Sequence, residues 1–186
     1  MIYALVDKET LTQRDISLQE HLIDLQNFDI PILQYRNKIG SLTQKRDDLL
    51  TIRRYYSGTL IINDTIELID MVDGLHIGQE DITIYGDKQI EAIKYIRQKI
   101  GDKLLGLSTH NLMEIEEANL LDIDYIGLGA YRSTDTKKNA LVGGKALLEI
   151  AKSSNHPVAI IGGVRLDDEL GTHVKYRVIG SGLYRR

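Results

Sequence analysis

The residue types best suited to chemistry in this chain lie in short polar tracts that directly follow apolar runs. The first is Gln34-Tyr35-Arg36-Asn37-Lys38, where an amide, a guanidinium and an ammonium recur at every second residue. In an extended strand that spacing puts Gln34, Arg36 and Lys38 on one face. Turned into a protein interior, such a cluster demands an anionic ligand or a counter-charge, because unpaired buried charge is strongly disfavoured. The alternative is a strand end that frays into solvent. Two further tracts, Asn63-Asp64 and His76-Ile77-Gly78-Gln79-Glu80-Asp81, supply carboxylates. Asp64 and Asp81, at the ends of neighbouring strands, suit Mg2+, which takes oxygen ligands, keeps waters and bridges to substrate phosphates. Asp64 also precedes a helical stretch, where an acid serves equally well as a cap or first-turn residue. His76, inside an apolar run, reads more readily as a hydrogen-bonded core histidine than as a ligand.

The remaining tracts favour anions. Ser108-Thr109-His110-Asn111 contains three side chains able to cap a following helix. The stretch 127–138 is dense in glycine N–H groups, hydroxyls and cations, among them Thr134, Thr136 and Lys137, and anion binding is its natural use. Gly162-Gly163 and Gly180-Ser181-Gly182 let the backbone approach a phosphate closely, although a tight turn would use the same residues. Collected at one end of one sheet, these groups describe a pocket for two phosphorylated ligands and a divalent cation.

The elements that position them alternate. Apolar, β-branched runs occur at 2–6, 31–35, 59–62, 74–77, 104–107, 125–128, 157–161 and 177–179, and helical periodicity at 18–25, 42–55, 89–100, 112–120 and 145–152. Alternating strand and helix predicts a parallel sheet with its ligand site at the carboxyl ends of the strands. Eight repeats predict a (β/α)8 TIM barrel, compact because about 250 residues is usual for that fold and this chain has 186. An open, doubly wound sheet is the alternative. The crossovers at 65–72 and 165–175 have room for little more than two turns each, and residues 182–186 are too few for a final helix. The missing helix would expose the first and eighth strands around Ile2, Ala4 and Val178, which predicts a homodimer covering that face. The competing arrangement folds Leu183-Tyr184 back over it or slides neighbouring helices across.

Composition bounds the rest. With 42% hydrophobic and 27% charged residues and no linker-like tract, residues 1–186 are expected to form a single domain. A net charge of −4 gives no footprint for nucleic acid or an anionic membrane. The lack of cysteine removes disulfides, thiolate metal sites and thiol catalysis. No uncharged apolar run approaches the roughly 20 residues that span a bilayer, and the N-terminus lacks a secretory pattern, so cytoplasmic residence is the expectation.

At these residues the sequence resembles the thiamine phosphate synthase (thiamine-phosphate pyrophosphorylase) family, from Ile2 to Leu183. The likeness rests on Leu33-Gln34-Tyr35-Arg36-Asn37-Lys38, similar to the family's Q-x-R-x-K, on Ile61-Ile62-Asn63-Asp64, and on the tract from Asp73 to Asp81. It continues through Gly106-Leu107-Ser108-Thr109-His110, Asp124-Tyr125-Ile126-Gly127-Leu128-Gly129, Thr134-Asp135-Thr136-Lys137 and Ile161-Gly162-Gly163. The resemblance implies a (β/α)8 barrel that condenses an aminopyrimidine methyl diphosphate with a thiazole phosphate, releasing diphosphate and forming thiamine monophosphate. It also implies roles. Gln34, Arg36 and Lys38 would hold the pyrimidine diphosphate, with Asn63, Ser108 and Lys137 beside them; Asp64 and Asp81 would bind Mg2+; Thr134, Thr136, Gly163, Gly180 and Ser181 would bind the thiazole phosphate. Arg36, Lys38 and Lys137 would be catalytic, stabilising the departing diphosphate.

A thiazole tautomerase branch of the family carries a catalytic histidine just after the sixth strand and an altered Q-x-R-x-K; here Ala130 stands at the former and the latter is complete. A non-catalytic paralogue would have lost a metal ligand or a diphosphate contact, and none is lost. The chain departs from the family at Arg132-Ser133, where an aromatic residue and a proline are usual.

Overall fold

The computed structural model describes residues 1–133 and 142–184. Eight parallel strands close into a barrel in sequence order: β1 (Ile2–Asp7), β2 (Ile32–Arg36), β3 (Thr59–Asn63), β4 (Gly74–Ile77), β5 (Leu104–Thr109), β6 (Tyr125–Leu128), β7 (Val158–Ile160) and β8 (Val174–Ile179). Closure is made by β1 against β8, with Ala4 opposite Ile179. The open-sheet alternative is thereby excluded.

Helices α1 (Lys8–Gln13), α2 (Leu18–Leu25), α3 (Leu42–Tyr55), α4 (Gln89–Ile100), α5 (Leu112–Ala118) and α6 (Ala146–Ile150) lie outside the barrel. Their starts are written in the sequence. Ser17 with Glu20 and Ser41 with Gln44 form reciprocal capping boxes, and Asn111 accepts from the Glu114 N–H. On α4, Ala92, Ile93, Ile96 and Ile100 recur at helical spacing and are buried against the strands. Short connections replace helices elsewhere. A 3-10 turn, Ile66–Met71, links β3 to β4, and β7 joins β8 through turns alone, which extends the shortening expected of these two crossovers to complete loss of the second helix.

Two apolar layers result. One packs between strands and helices; the other fills the barrel with Tyr3, Leu5, Ile61, Tyr125, Ala159 and Val178. The face expected to be bare is not. Ala4 is 1% exposed within the single chain and Ile2 is partly buried beside it, while Val178, expected on the outside, belongs to the layer that fills the barrel. After β8 a 3-10 turn, Ser181–Leu183, carries Leu183 and Tyr184 back over the gap, both buried. The Tyr184 hydroxyl accepts the Asp7 N–H at 3.2 Å, its ring meets His21 edge-on at 4.4 Å, and the Arg14 guanidinium lies over it. The apolar surface that motivated a homodimer is therefore covered from within, and that argument for a dimer no longer stands.

His21 makes this latch sensitive to acid. Burial pushes its imidazole down to about 4, against a smaller upward pull from Asp24, and its Nδ1 has no hydrogen-bond partner among the described residues. The unfolded chain takes up a proton near the ordinary value of 6.5, whereas the folded chain does so only near 4. Stability conferred by neutral His21 is thus complete above pH ~6.5 and lost as pH falls towards ~4, by up to about 3 kcal/mol. Denaturant unfolding near pH 7 and near pH 4.5 checks this: wild type is expected to lose more stability on acidification than His21→Leu, by about 2 kcal/mol.

Candidate active site

The carboxyl ends of the strands open into a cavity of about 480 Å3. Gln34, Arg36, Lys38 and Asn63 line it, as do Asp64, Asp81 and Ser108, and Gly163, Gly180 and Ser181 close the opposite side. Ten of the thirteen residues singled out by sequence are therefore brought to one pocket. The other three, Thr134, Thr136 and Lys137, lie outside the described residues.

The charged groups at the mouth are already paired. Arg36 donates to Asp7 Oδ1 at 2.5 Å; Asp7 is its register neighbour on β1, is buried, and also accepts from the Thr10 N–H and hydroxyl at the start of α1. Lys38 Nζ lies 2.5 Å from Asp64 Oδ2 and 2.9 Å from Asp81 Oδ2. Burial acts against the Lys38 charge, but the hydrogen bonds and charges of Asp64 and Asp81 outweigh it and raise its pKa. Neither cation belongs to a frayed strand end.

Asp64 is not a helix cap. The turn that follows it has no side-chain cap, and Asp64 takes a left-handed backbone conformation, φ 57°, in which its Oδ1 accepts the Gly78 N–H at 3.0 Å. Non-glycine residues pay for that conformation, and it recurs at functional sites. A Cβ on Gly78 would meet Asp81 Oδ2 at 2.6 Å and Asp64 Oδ1 at 3.9 Å, so both carboxylates crowd one glycine. Two carboxylates sharing a single ammonium, beside an open cavity, form an oxygen donor set that fits Mg2+ with its remaining positions left to water and phosphate.

Below the mouth runs a chain of hydrogen bonds whose direction is fixed link by link. Asn63 donates to Asp64 Oδ2, and Gln34 donates to Asn63 Oδ1 at 2.7 Å. The Tyr3 hydroxyl donates to Gln34 Oε1 at 2.7 Å, so the Tyr125 hydroxyl, 2.8 Å away, must donate to Tyr3. Tyr125 has then spent its hydrogen, and His76 Nδ1, at 3.1 Å, must carry the next. His76 Nε2 is left to accept from the Ser108 hydroxyl at 3.0 Å. Burial, with the charge of Lys38 adding to it, lowers the His76 imidazole to about 4 and keeps it neutral, while burial raises the phenols of Tyr3 and Tyr125. His76 is thus the hydrogen-bonded histidine expected, and it also reaches the pocket wall. Ser108 caps nothing; Asn111 does that.

Sequence reasoning missed Tyr3, Tyr125 and Asp7. Period-two spacing on β1, Tyr3-Leu5-Asp7, was a usable signal for an inward or ligand-facing row. Across the pocket, Gly162 and Gly163 have left-handed φ of 92° and 63°, which an L side chain rarely adopts. Among the described residues the N–H groups of Gly163 and Val164 have no acceptor, and both residues line the cavity. Successive free N–H groups of this kind form an anion-binding concavity.

A family model described as thiamine monophosphate synthase matches residues 2–170. The chain belongs to the thiamine monophosphate synthase family. It is 32% identical over 172 residues to thiamine-phosphate synthase 1 of Aquifex aeolicus, covering 88% of this chain and 74% of that one. It is 31% identical over 194 residues to the thiamine-phosphate synthase of Persephonella marina, covering 99% and 88% respectively. Among solved structures, thiamine phosphate pyrophosphorylase from Pyrococcus furiosus superposes with a TM-score of 0.77 at 22% identity over 97% of this chain and 85% of that one, which shows the shared barrel.

The hydrogen-bond chain yields a test. In Tyr125→Phe the His76 Nδ1–H and a lone pair of Tyr3 are left without partners in the barrel interior, which should destabilise the fold by about 1–3 kcal/mol in denaturant unfolding. Nitrogen NMR of wild type should show His76 as a single neutral tautomer protonated on Nδ1. Protonation on Nε2 would reverse the deduced direction.

Proposed function

We propose that this chain is a thiamine phosphate synthase: a transferase that joins the methylene carbon of 4-amino-2-methyl-5-(diphosphooxymethyl)pyrimidine to the ring nitrogen of a thiazole phosphate. The C–O bond to diphosphate breaks and its electron pair leaves with the diphosphate. The nitrogen lone pair forms the new C–N bond, giving thiamine monophosphate. The observation that carries this reading is the mouth of the barrel, where Arg36, Lys38, Asp64 and Asp81 gather over one cavity in a chain whose relatives are thiamine-phosphate synthases.

Negative charge grows on the diphosphate as the bond breaks, and groups already aimed at it stabilise that charge without reorganisation. Arg36, pinned by Asp7, offers its remaining N–H groups at the pocket wall. Lys38, which lines the same cavity as Asp64 and Asp81, would pass from these carboxylates to a phosphate oxygen. Asp64 and Asp81 would hold Mg2+, which when bound supplies further charge neutralisation to the leaving group. Lys137 is proposed beside them on family resemblance. Gln34, Asn63 and Ser108 form the polar wall for the pyrimidine, the ring whose amino group delocalises the developing cation. Gly163, with Gly180 and Ser181, is proposed to take the thiazole phosphate on its free N–H groups, with Thr134 and Thr136. No protein nucleophile or general base is needed. Small-molecule substrates only, and cytoplasmic residence, belong to the same proposal; no helix among the described residues is long and apolar enough to cross a membrane.

Incubation of the purified chain with both substrates and Mg2+ should give thiamine monophosphate and diphosphate in equal amounts. Activity should vanish in EDTA and in Asp64→Asn or Asp81→Asn while far-ultraviolet circular dichroism is unchanged; full activity in EDTA would sink the metal assignment. Arg36→Ala should lower kcat by about 100- to 1,000-fold, the loss typical of one preorganised donor. A raised KM for the thiazole phosphate with unchanged kcat would place Arg36 at the wrong ligand.

A further inference from the structure

The departure from the family at Arg132 coincides with a contact that ties two loops of the pocket together. Arg132 follows β6, and its guanidinium donates through Nη1 to Asp168 Oδ2 at 2.6 Å and through Nη2 to Asp168 Oδ1 at 2.6 Å. Such two-point pairing is geometrically selective for arginine. The guanidinium carbon Cζ also lies over the Tyr131 ring, 4.6 Å from its centre, and that ring is itself buried. Asp168 accepts the Arg165 N–H at 2.8 Å as well, so it is anchored in the loop that follows β7.

The consequence falls on the glycine turn. Arg132 N–H donates to the Gly162 carbonyl at 2.8 Å, and Arg132 Nη1 donates to the Gly163 carbonyl, also at 2.8 Å. A trans peptide unit points its N–H opposite to its C=O. Fixing those two carbonyls on Arg132 therefore turns the N–H groups of Gly163 and Val164 the other way, and these two, which border the cavity, have no acceptor among the described residues. Contact is close enough to exclude a side chain: a Cβ on Gly163 would lie 2.7 Å from Arg132 Cβ.

We propose that Arg132, clipped by Asp168, is a positioning residue that orients the Gly163 and Val164 N–H groups towards the phosphate of the thiazole substrate, and is not itself a phosphate ligand. This rests on the reading of the glycine turn as the thiazole-phosphate end of a synthase pocket.

The two possible roles of Arg132 give opposite signs in Asp168→Asn. If Arg132 positions the turn, loss of the charge on Asp168 loosens the clip. The KM for the thiazole phosphate should then rise about tenfold, equivalent to about 1.4 kcal/mol, with kcat at saturation and the KM for the pyrimidine diphosphate within about twofold of wild type. Arg132→Lys, which keeps the charge but cannot reach both carbonyl and carboxylate in a fork, should behave alike. If Arg132 bound phosphate directly, Asp168→Asn would free it, and an unchanged or lowered thiazole-phosphate KM would overturn the proposal.

Calorimetry reads the clip without turnover. Thiazole phosphate should bind Asp168→Asn about tenfold more weakly than wild type, and the unphosphorylated thiazole alcohol should bind both equally. Wild type that binds thiazole phosphate with this dependence but makes no product would overturn the synthase reading and leave the clip standing. Wild type that turns over while both variants keep its KM would do the reverse. Absence of both binding and turnover overturns both.

Discussion

Two cations at the mouth of this barrel are held by carboxylates. A cation kept from water without a partner is strongly unfavourable, and among the described residues Arg36 pairs with Asp7, and Lys38 with Asp64 and Asp81. The pairing lets four site groups stand over one cavity before any ligand arrives. It also makes the site exchangeable. Under the proposed function, an incoming metal and an incoming diphosphate would take over the two halves of the Lys38 cluster, carboxylates to cation and ammonium to anion, so that each replaced contact would be met by a new one.

The barrel beneath serves the same end. Its interior holds a chain of neutral groups from Ser108 through His76, Tyr125, Tyr3 and Gln34 to Asn63, contributed by strands β5, β4, β6, β1, β2 and β3 and ending on the Asp64 carboxylate. The chain can close only if those strands surround a common axis, so barrel closure and orientation of the site side chains are one problem with one solution. Closure itself depends on β1 meeting β8 and on Tyr184 returning to cover β1, where its hydroxyl takes the N–H of the same Asp7 that holds Arg36.

Much of this was legible in the sequence because the signals are local. Strand runs followed by Gln34-x-Arg36-x-Lys38, Asn63-Asp64 and Gly162-Gly163 announce both the repeat and its functional end, since period-two spacing and glycine pairs carry geometric meaning on their own. What was not legible is long-range. Tyr3 and Tyr125 read as ordinary strand aromatics until the barrel sets their hydroxyls 2.8 Å apart. Asp7 becomes an arginine's partner only through the register of β1 on β2. Helix α1 has too few apolar positions to show a period, and its start is marked by Asp7, whose side chain caps it. At the flank around Ala4 the sequence left two arrangements open, a second copy or a return of Leu183-Tyr184, and the structure shows that Leu183 and Tyr184 turn back to fill the place of a helix.

The central claim is that Asp64 and Asp81 accept a divalent cation together with a diphosphate, releasing Lys38 from the carboxylates to the anion. Binding of inorganic diphosphate to the intact chain, followed by calorimetry with and without Mg2+, tests it without requiring turnover. The account predicts affinity at least about tenfold higher with Mg2+ than with EDTA, with that difference lost in Asp81→Asn. Equal affinity under the two conditions, or a metal effect that survives in Asp81→Asn, would contradict it.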